Sequence, residues 1–269
     1  MLMRVLPLRV VFVGLAVLSA LGPAAAPVLA QPSQAPAGWS SRVAAGIVHQ
    51  GEADLDGGGA LAVTRLFATA EFSRAIEGGT RLGWEIGASY DDHRFLGVEA
   101  PWRDLRRFEA SFSYARQLSA DWAVRVAPSL KTHYAEGSSA GDGVVASVVA
   151  AATRTFNPDL RLGLGVVAAT GLEETRAFPF VAIRWAVSER WTVQNPLRAG
   201  PAGPAGLEAV WEGAAWDVAL GGAYRSYRFA LGDDAAVAGG IGEHNGVPLF
   251  VRLTRRFGDS GSISTAAWS

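Results

Sequence analysis

The sequence predicts an all-β fold: a transmembrane, up-and-down antiparallel β-barrel of about 12–14 strands, preceded by a signal peptide. Three observations predict this fold. Apolar residues alternate with polar ones along the chain, short turns alternate with longer connections, and the N-terminus has the composition of an export signal. Helical periodicity is almost absent, so strands are favoured over helices throughout.

The N-terminal segment resembles a cleavable signal peptide. Arg4 and Arg9 form a positive region just before an apolar segment, Val10 to Leu21, and Val28-Leu29-Ala30 ends in a small-residue cleavage pattern. The apolar segment is shorter than the roughly 20 residues of a membrane-spanning helix, so a retained anchor is the weaker alternative. Cleavage is expected after Ala30. The chain then divides into a signal peptide (1–30), a short linker (31–38) and a barrel domain (39–269).

Composition excludes several classes of protein. The chain has no cysteine, which excludes a lipid-anchored N-terminal Cys and a disulfide framework. Its net charge of −1 becomes −3 once Arg4 and Arg9 are removed, so nucleic acid is not an expected partner. Hydrophobic residues make up 49% of the chain. However, no second apolar segment approaches the ~20 residues of a spanning helix, so any membrane crossing requires strands.

The alternation is clearest between residues 81 and 90. Leu82, Trp84, Ile86, Ala88 and Tyr90 point to one side, and Arg81, Glu85 and Ser89 to the other. Similar segments predict strands near 39–50, 60–74, 81–90, 106–118, 122–134, 144–156, 160–170, 178–187, 191–199, 205–211, 216–227, 248–257 and 262–269. Single-chain barrels have even strand numbers, so the last strand is expected to be incomplete or the count is off by one.

The connections between these strands alternate in length. Short turns are predicted at 75–80, 119–121, 157–159, 188–190, 212–215 and 258–261. Longer connections are predicted at 51–59, 91–105, 135–143, 171–177, 200–204 and 228–247. Outer-membrane barrels have short periplasmic turns and long external loops, so the longer connections are assigned to the cell surface. Tryptophans close to short turns are expected to form the periplasmic-side aromatic girdle: Trp122, Trp185, Trp191, Trp211 and Trp216.

The side of each strand opposite the apolar residues is predicted to line the lumen. Its basic members are Arg65, Arg81, Arg107, Arg125, Lys131, Arg161, Arg184, Arg225, Arg252 and Arg256. Its acidic members are Glu71, Glu85, Glu109 and Asp217. The nine lumen-lining candidates among these residues are Arg81, Glu85, Arg107, Glu109, Arg125, Lys131, Arg161, Arg225 and Arg252. A net-positive interior favours a passive channel for small anionic solutes. A lumen filled by a network of ion pairs is the alternative, because barrels of this size lie between filled and open cases.

No motif predicts an enzyme, a metal site or a cofactor site. His49, His93, His133 and His244 all fall on or next to long connections, but without the spacing of a metal motif. A lipid-modifying enzyme would need a serine near a histidine, and His133 with Ser138 or Ser139 is the nearest combination. The enzyme is therefore the weakest of the functional alternatives.

The signal peptide, the repeated strands and the segment from Asn195-Pro196 to Arg225-Ser226-Tyr227-Arg228-Phe229 carry a resemblance to a family. The chain resembles predicted bacterial outer-membrane barrels that are grouped as a domain of unknown function, over most of residues 40–269. The resemblance implies no active-site residue, and it implies further strands after the last one in this sequence.

Taken together, these features predict an outer-membrane protein whose partners are membrane lipid, periplasmic chaperones and the barrel-assembly machinery. A channel is the first expectation, and a non-conducting structural or interaction barrel of the cell surface is the second. A soluble β-sandwich also alternates, and is the main alternative for the fold.

Overall fold

The computed structural model describes residues 17–20, 38–55, 58–195, 206–233, 235, 237–247, 249–257 and 261–268. Within these ranges no helix is long and apolar enough to cross a membrane. Most of the predicted signal peptide and linker, the Gly200–Pro204 connection and residues 258–260 of the last short turn lie outside the described residues.

The described residues form sixteen strands. Their bounds are β1 (Val17–Ala20), β2 (Gly38–Asp54), β3 (Ala60–Ile76), β4 (Thr80–Leu96), β5 (Asp104–Gln117), β6 (Trp122–Ala135), β7 (Val144–Asn157), β8 (Leu160–Gly171), β9 (Glu174–Ala186), β10 (Trp191–Gln194), β11 (Gly206–Glu212), β12 (Trp216–Ala223), β13 (Arg225–Ala230), β14 (Ile241–Gly246), β15 (Leu249–Phe257) and β16 (Gly261–Trp268).

The strands form one up-and-down sheet, antiparallel except for a single parallel bridge between β13 and β6, which confirms the all-β prediction. Neighbours in sequence pair from β1 to β12, β12 pairs with β15, and β15 pairs with β16. Strand β1 pairs with both β2 and β16, and it lies in the segment that the sequence assigns to the signal peptide. No pairing joins β2 directly to β16 in the described chain, so the strands from residue 38 onward do not close into a barrel.

The sheet is strongly curved between β12 and β6. Ala230 of β13 pairs with Tyr134 of β6, although β13 follows β12, which lies six strands away in the sheet order. The strand order that runs from β2 through β6, β7 and β12 to β16 also begins and ends beside β1, because β2 and β16 both pair with it. A flat sheet could not bring its first and last strands together in this way, so the sheet curves.

Each of the thirteen predicted strands has a counterpart, but several bounds differ. Strand β2 continues through Asp54 and β4 through Leu96, into segments predicted as connections. The connection predicted at 171–177 is wrong. Strands β8 and β9 are joined by the two residues Leu172 and Glu173, which have φ angles of 51° and 64°. Positive φ at both positions is typical of the tight turns that match the twist of a hairpin.

The connection predicted at 228–247 is also different in the structure. It contains the hairpin of β13 and β14, and β12 ends at Ala223 instead of continuing to residue 227. The other predicted connections keep their relative lengths where they are described. Residues 77–79 and 158–159 join strands at one end of the sheet, and 97–103 and 136–143 join them at the other. We call these the short-turn end and the long-connection end.

The two faces of the sheet have opposite characters. Trp84, Ile86 and Tyr90 of β4 are exposed, whereas Glu85 and Ser89, which alternate with them, are half-buried. The same arrangement recurs in β5 and in β8, where Phe108 and Leu164 are exposed. We call the exposed side the apolar face and the other side the polar face. In a water-soluble sheet the apolar residues would be the buried ones.

Candidate functional site

The polar face carries the predicted lumen-lining residues. Burial and register place eight of the nine candidates on it: Arg81, Glu85, Arg107, Glu109, Arg125, Lys131, Arg161 and Arg252. The ninth, Arg225, belongs to β13 of the β13–β14 hairpin, and its side chain lies outside the described part of the structure. Eight of the nine residues thus share one face of the sheet and the hairpin carries the ninth, while their lining of a lumen stays a prediction.

Asp91 is the centre of a buried ion-pair cluster near the long-connection end. Arg65 of β3 donates Nε and Nη2 to its two carboxylate oxygens, at 2.6 and 2.7 Å. Arg107 of β5 donates to Asp91 Oδ2 as well. The Asp91 side chain is fully buried, so the two guanidinium groups replace its lost hydration. His93, two residues along β4, packs edge-on against Trp102 beside this cluster.

A second buried carboxylate lies on β11. Glu208 accepts hydrogen bonds from Arg252 Nη2 of β15 at 2.9 and 3.1 Å, and from Gln194 Nε2 of β10 at 2.8 Å. The ion pairs Lys131–Glu109, at 3.0 Å, and Arg256–Asp217, at 3.2 Å, lie on the same face. Several of the predicted lumen charges are thus paired with carboxylates. Two of these carboxylates, Asp91 and Glu208, were not in the predicted acidic set.

Part of the polar face is not charged at all. Phe180 and Ala182 of β9 form a buried apolar cluster with Val149, Ala151 and Val167 of the two preceding strands. At the short-turn end of the same strands, Arg161 is directly opposite Arg184. Basic residues therefore concentrate near the short turns of β8 and β9, and apolar packing separates them from the long-connection end.

The hairpin of β13 and β14 lies over the polar face at the long-connection end. Arg176 of β9 donates to both carboxylate oxygens of Glu243 in β14, at 2.8 and 3.2 Å, and to Ser226 Oγ of β13 at 3.2 Å. It also donates to Glu174 Oε2 at 2.8 Å. Arg228 of β13 donates to the same Glu174 oxygen at 2.9 Å. Arg176 and Glu174 of β9 thus bind Glu243 and Arg228 of the hairpin and join it to the sheet.

The hydrogen bonds of Arg176 hold the pKa of Glu243 below its usual value. Asn245 adds a further donor to Glu243, at 2.8 Å, and Arg228 lies 3.8 Å from it. The carboxylate of Glu243 is therefore stabilised in its charged form by groups on both β9 and the hairpin.

Apolar contacts attach the other side of the hairpin. Phe229 is fully buried against Leu105 of β5, Ala135 of β6 and Leu231, and its ring centroid is 5.0 Å from that of Trp102. His133 Nδ1 lies 3.2 Å from the backbone oxygen of Arg228. The hairpin therefore contacts β5 and β6 on one side and the β8–β9 turn on the other.

The residues of the predicted enzyme alternative are engaged elsewhere. Ser138 and Ser139 donate their hydroxyls to Asp142 Oδ2, at 3.4 and 2.8 Å. These bonds, with the backbone N–H of Ser139, lower the pKa of Asp142 in this exposed connection. His133 faces the hairpin. His93 lies in β4 and His244 in β14, while the side chain of His49 lies outside the described part.

No curated protein sequence matches the chain. One protein family does match, over residues 88–197, which run from the second half of β4 to just beyond β10. The match ends close to the start of the Asn195–Phe229 segment that carries the resemblance noted from the sequence. It covers Asp91, Arg107 and Arg176, but not the hairpin. Residues 88–197 thus contain a domain of an uncharacterised family, the domain of unknown function DUF6268.

Proposed function

We propose that the chain is a bacterial outer-membrane β-barrel that lets small anionic solutes pass, and that it is exported by means of a cleaved signal peptide. The observation that carries the proposal is the inverted sheet: large apolar side chains are exposed on one face while charges are half-buried on the other. Exposed apolar surface on this scale marks contact with a membrane or another protein.

The dimensions of the apolar face support contact with a bilayer. On β4 the apolar side chains run from Leu82 to Tyr90, a stretch of nine residues, with Asp92 and Arg94 following on the same face. A tilted strand needs about 9–11 residues to cross a membrane. On β5 the equivalent stretch ends at Arg106 and Arg116. Charges thus mark both edges of the apolar band, as expected at membrane–water boundaries.

The short-turn end supports the same proposal. Trp122, Trp191 and Trp216 are exposed there, each at the first position of a strand. Arg154 lies over the Trp122 ring at 5.9 Å, and Arg255 over the Trp216 ring at 5.4 Å. Indoles beside arginines suit an interface that is apolar on one side and contains lipid headgroups on the other.

Closure of the barrel belongs to the proposal as well. Strands β2 and β16 both pair with β1, so the width of one strand separates these two edges. The curvature between β12 and β6 has the direction that closure requires, because it brings distant strands together over the polar face.

The anion preference rests on the basic residues of the polar face. Arg125 and Arg161 lie there near the short-turn end, and rings of basic side chains favour anions in pores. A non-conducting structural barrel is the second candidate, and the paired carboxylates Asp91 and Glu208 favour it because they neutralise several arginines.

Conductance in planar bilayers separates the two candidates. If the protein is a channel, it should carry current across the bilayer. Under a salt gradient, its reversal potential should show that anions pass more readily than cations. Arg125→Ala and Arg161→Ala should move that potential toward the value for cations. Arg74→Ala is the matched control, because Arg74 stacks on Trp39 at 5.6 Å, on the apolar face. A purified, folded protein that gives no conductance at any voltage would contradict the channel and support the structural barrel.

A further inference from the structure

The hairpin of β13 and β14 takes an unusual path. It is inserted between β12 and β15, which pair with one another, yet it packs on β5, β6 and the β8–β9 turn. Because β12 and β15 are neighbours, a connection that served only to join them could stay next to these two strands. Instead it crosses the polar face at the long-connection end, where it contacts β5, β6, β9 and the connections beside them.

The contacts of the hairpin divide into two kinds. Phe229 is an apolar anchor, with 0% of its surface exposed, among Leu105, Ala135 and Trp102. Glu243 is an electrostatic anchor, which Arg176 binds through two hydrogen bonds. In the described part of the hairpin, one backbone pairing, Ala230 with Tyr134, joins it to the sheet. A segment that is attached by so few backbone bonds can open separately from the strands beneath it.

We infer that the β13–β14 hairpin is a movable lid over the polar face, and that the Arg176–Glu243 ion pair is its latch. The lid would regulate passage of solutes through the long-connection end of the barrel. This regulatory role rests on the proposed channel, whereas the movement of the hairpin does not.

Opening can be measured through a thiol at position 230, because the chain has no cysteine of its own. Ala230 is 5% exposed, so Ala230→Cys should react slowly with a charged maleimide while the lid is closed. Adding Glu243→Gln removes the charge from the latch and should raise the labelling rate about tenfold, because a charge-assisted hydrogen-bond pair is lost. Glu99→Gln, an equivalent change in the exposed β4–β5 connection, should leave the rate unchanged.

Two further variants keep the test decisive if Glu243→Gln folds poorly. Ser226→Ala removes only the bond from Arg176 to Ser226 Oγ, and should raise the labelling rate by a smaller factor. Tyr134→Cys with Ala230→Cys places two thiols at paired Cα positions, so oxidation should form a disulfide that locks the lid. The control is Ala110→Cys with Leu130→Cys, a pair on the neighbouring strands β5 and β6, which shows whether paired thiols in this protein can be oxidised to a disulfide.

The outcomes are distinct. Faster labelling in Glu243→Gln and Ser226→Ala, but not in Glu99→Gln, supports the latch. Equal labelling rates in all four proteins, or failure of the 134–230 disulfide where the 110–130 disulfide forms, overturns it. In bilayers, the locked protein should conduct less than the reduced one, and Glu243→Gln more than native. No conductance in any variant, with the labelling differences intact, contradicts the channel and supports the movable hairpin.

Discussion

Phe180 of β9 lies over Gly165 of β8, its direct partner across the two strands. A Cβ atom at position 165 would collide with the Phe180 ring and would approach the backbone oxygen of Ala150 to 2.8 Å. The same relationship recurs between Phe250 and Gly221, where the added Cβ would lie 2.6 Å from Phe250 Cζ. On the polar face, glycine thus provides the space that a large aromatic ring on the neighbouring strand occupies.

Gly165→Ala should therefore destabilise the protein by about 1–3 kcal/mol, the usual cost of overpacking a filled site. In the Phe180→Leu background the same change should cost less, because the shorter side chain leaves room for the new methyl group. Unfolding by urea in detergent micelles would measure both, as a double-mutant cycle. Gly141→Ala is the control, since its Cβ would lie 3.6 Å from Ser139 Oγ, an ordinary contact. Equal costs in both backgrounds would show that the ring is not responsible.

The strand order was predictable because it depends on local alternation. In both Leu82 to Tyr90 and Leu160 to Val166, apolar residues occur at every second position. Each segment forms a strand with its apolar residues on one face. The β8–β9 turn was not predictable from composition, since Leu172 and Glu173 are not residues that favour positive φ. The sequence also contains no signal for the strand at Val17–Ala20, where apolar residues run without alternation.

Asp91→Asn should destabilise the protein strongly. The change leaves Arg65 and Arg107 without the carboxylate that compensates their burial, and breaking such a buried pair costs about 3–5 kcal/mol. Asp92→Asn makes the same chemical change at the next residue, on the opposite face, and should cost under about 0.5 kcal/mol. Thermal unfolding of the two variants would measure the difference. A similar loss at both positions would mean that the Asp91 cluster has no special role in stability.

Leu164→Arg tests the environment of the apolar face. Leu164 is 73% exposed, so in water an arginine would be tolerated at almost no cost. Inside a bilayer the same change should cost about 2–4 kcal/mol near the midplane. Leu118→Arg is the matched control, because Leu118 is 59% exposed but lies in the short turn before β6. Unfolding free energies in phospholipid vesicles would separate the two, and equal values would favour the soluble sandwich.

The candidate site was only partly predictable, because its charges are joined over long sequence separations. Alternation placed Arg107 and Arg252 on the polar face, but nothing local indicates that Asp91 would bind Arg107. The hairpin is the clearest case. The chain around Phe229 has no regular alternation, and its strands are stabilised by Arg176 and Trp102, which lie far away in sequence. Such contacts exist only once the sheet has curved.

The latch should weaken in acid. Arg176 lowers the pKa of Glu243, so the ion pair contributes its full stability above the ordinary glutamate pKa of about 4.3 and loses it as pH falls through the lower folded value. Arg228 and Glu174 also face Glu243: the arginines stay charged throughout this range, and Arg176 lowers the pKa of Glu174 as well. Hydrogen exchange of residues 241–246, corrected for intrinsic rates, should show less protection in Glu243→Gln than in native protein at pH 7. The two should converge once the pH is well below the ordinary glutamate pKa of about 4.3. Loss of native protection already near pH 6, well above the glutamate pKa, would contradict this prediction.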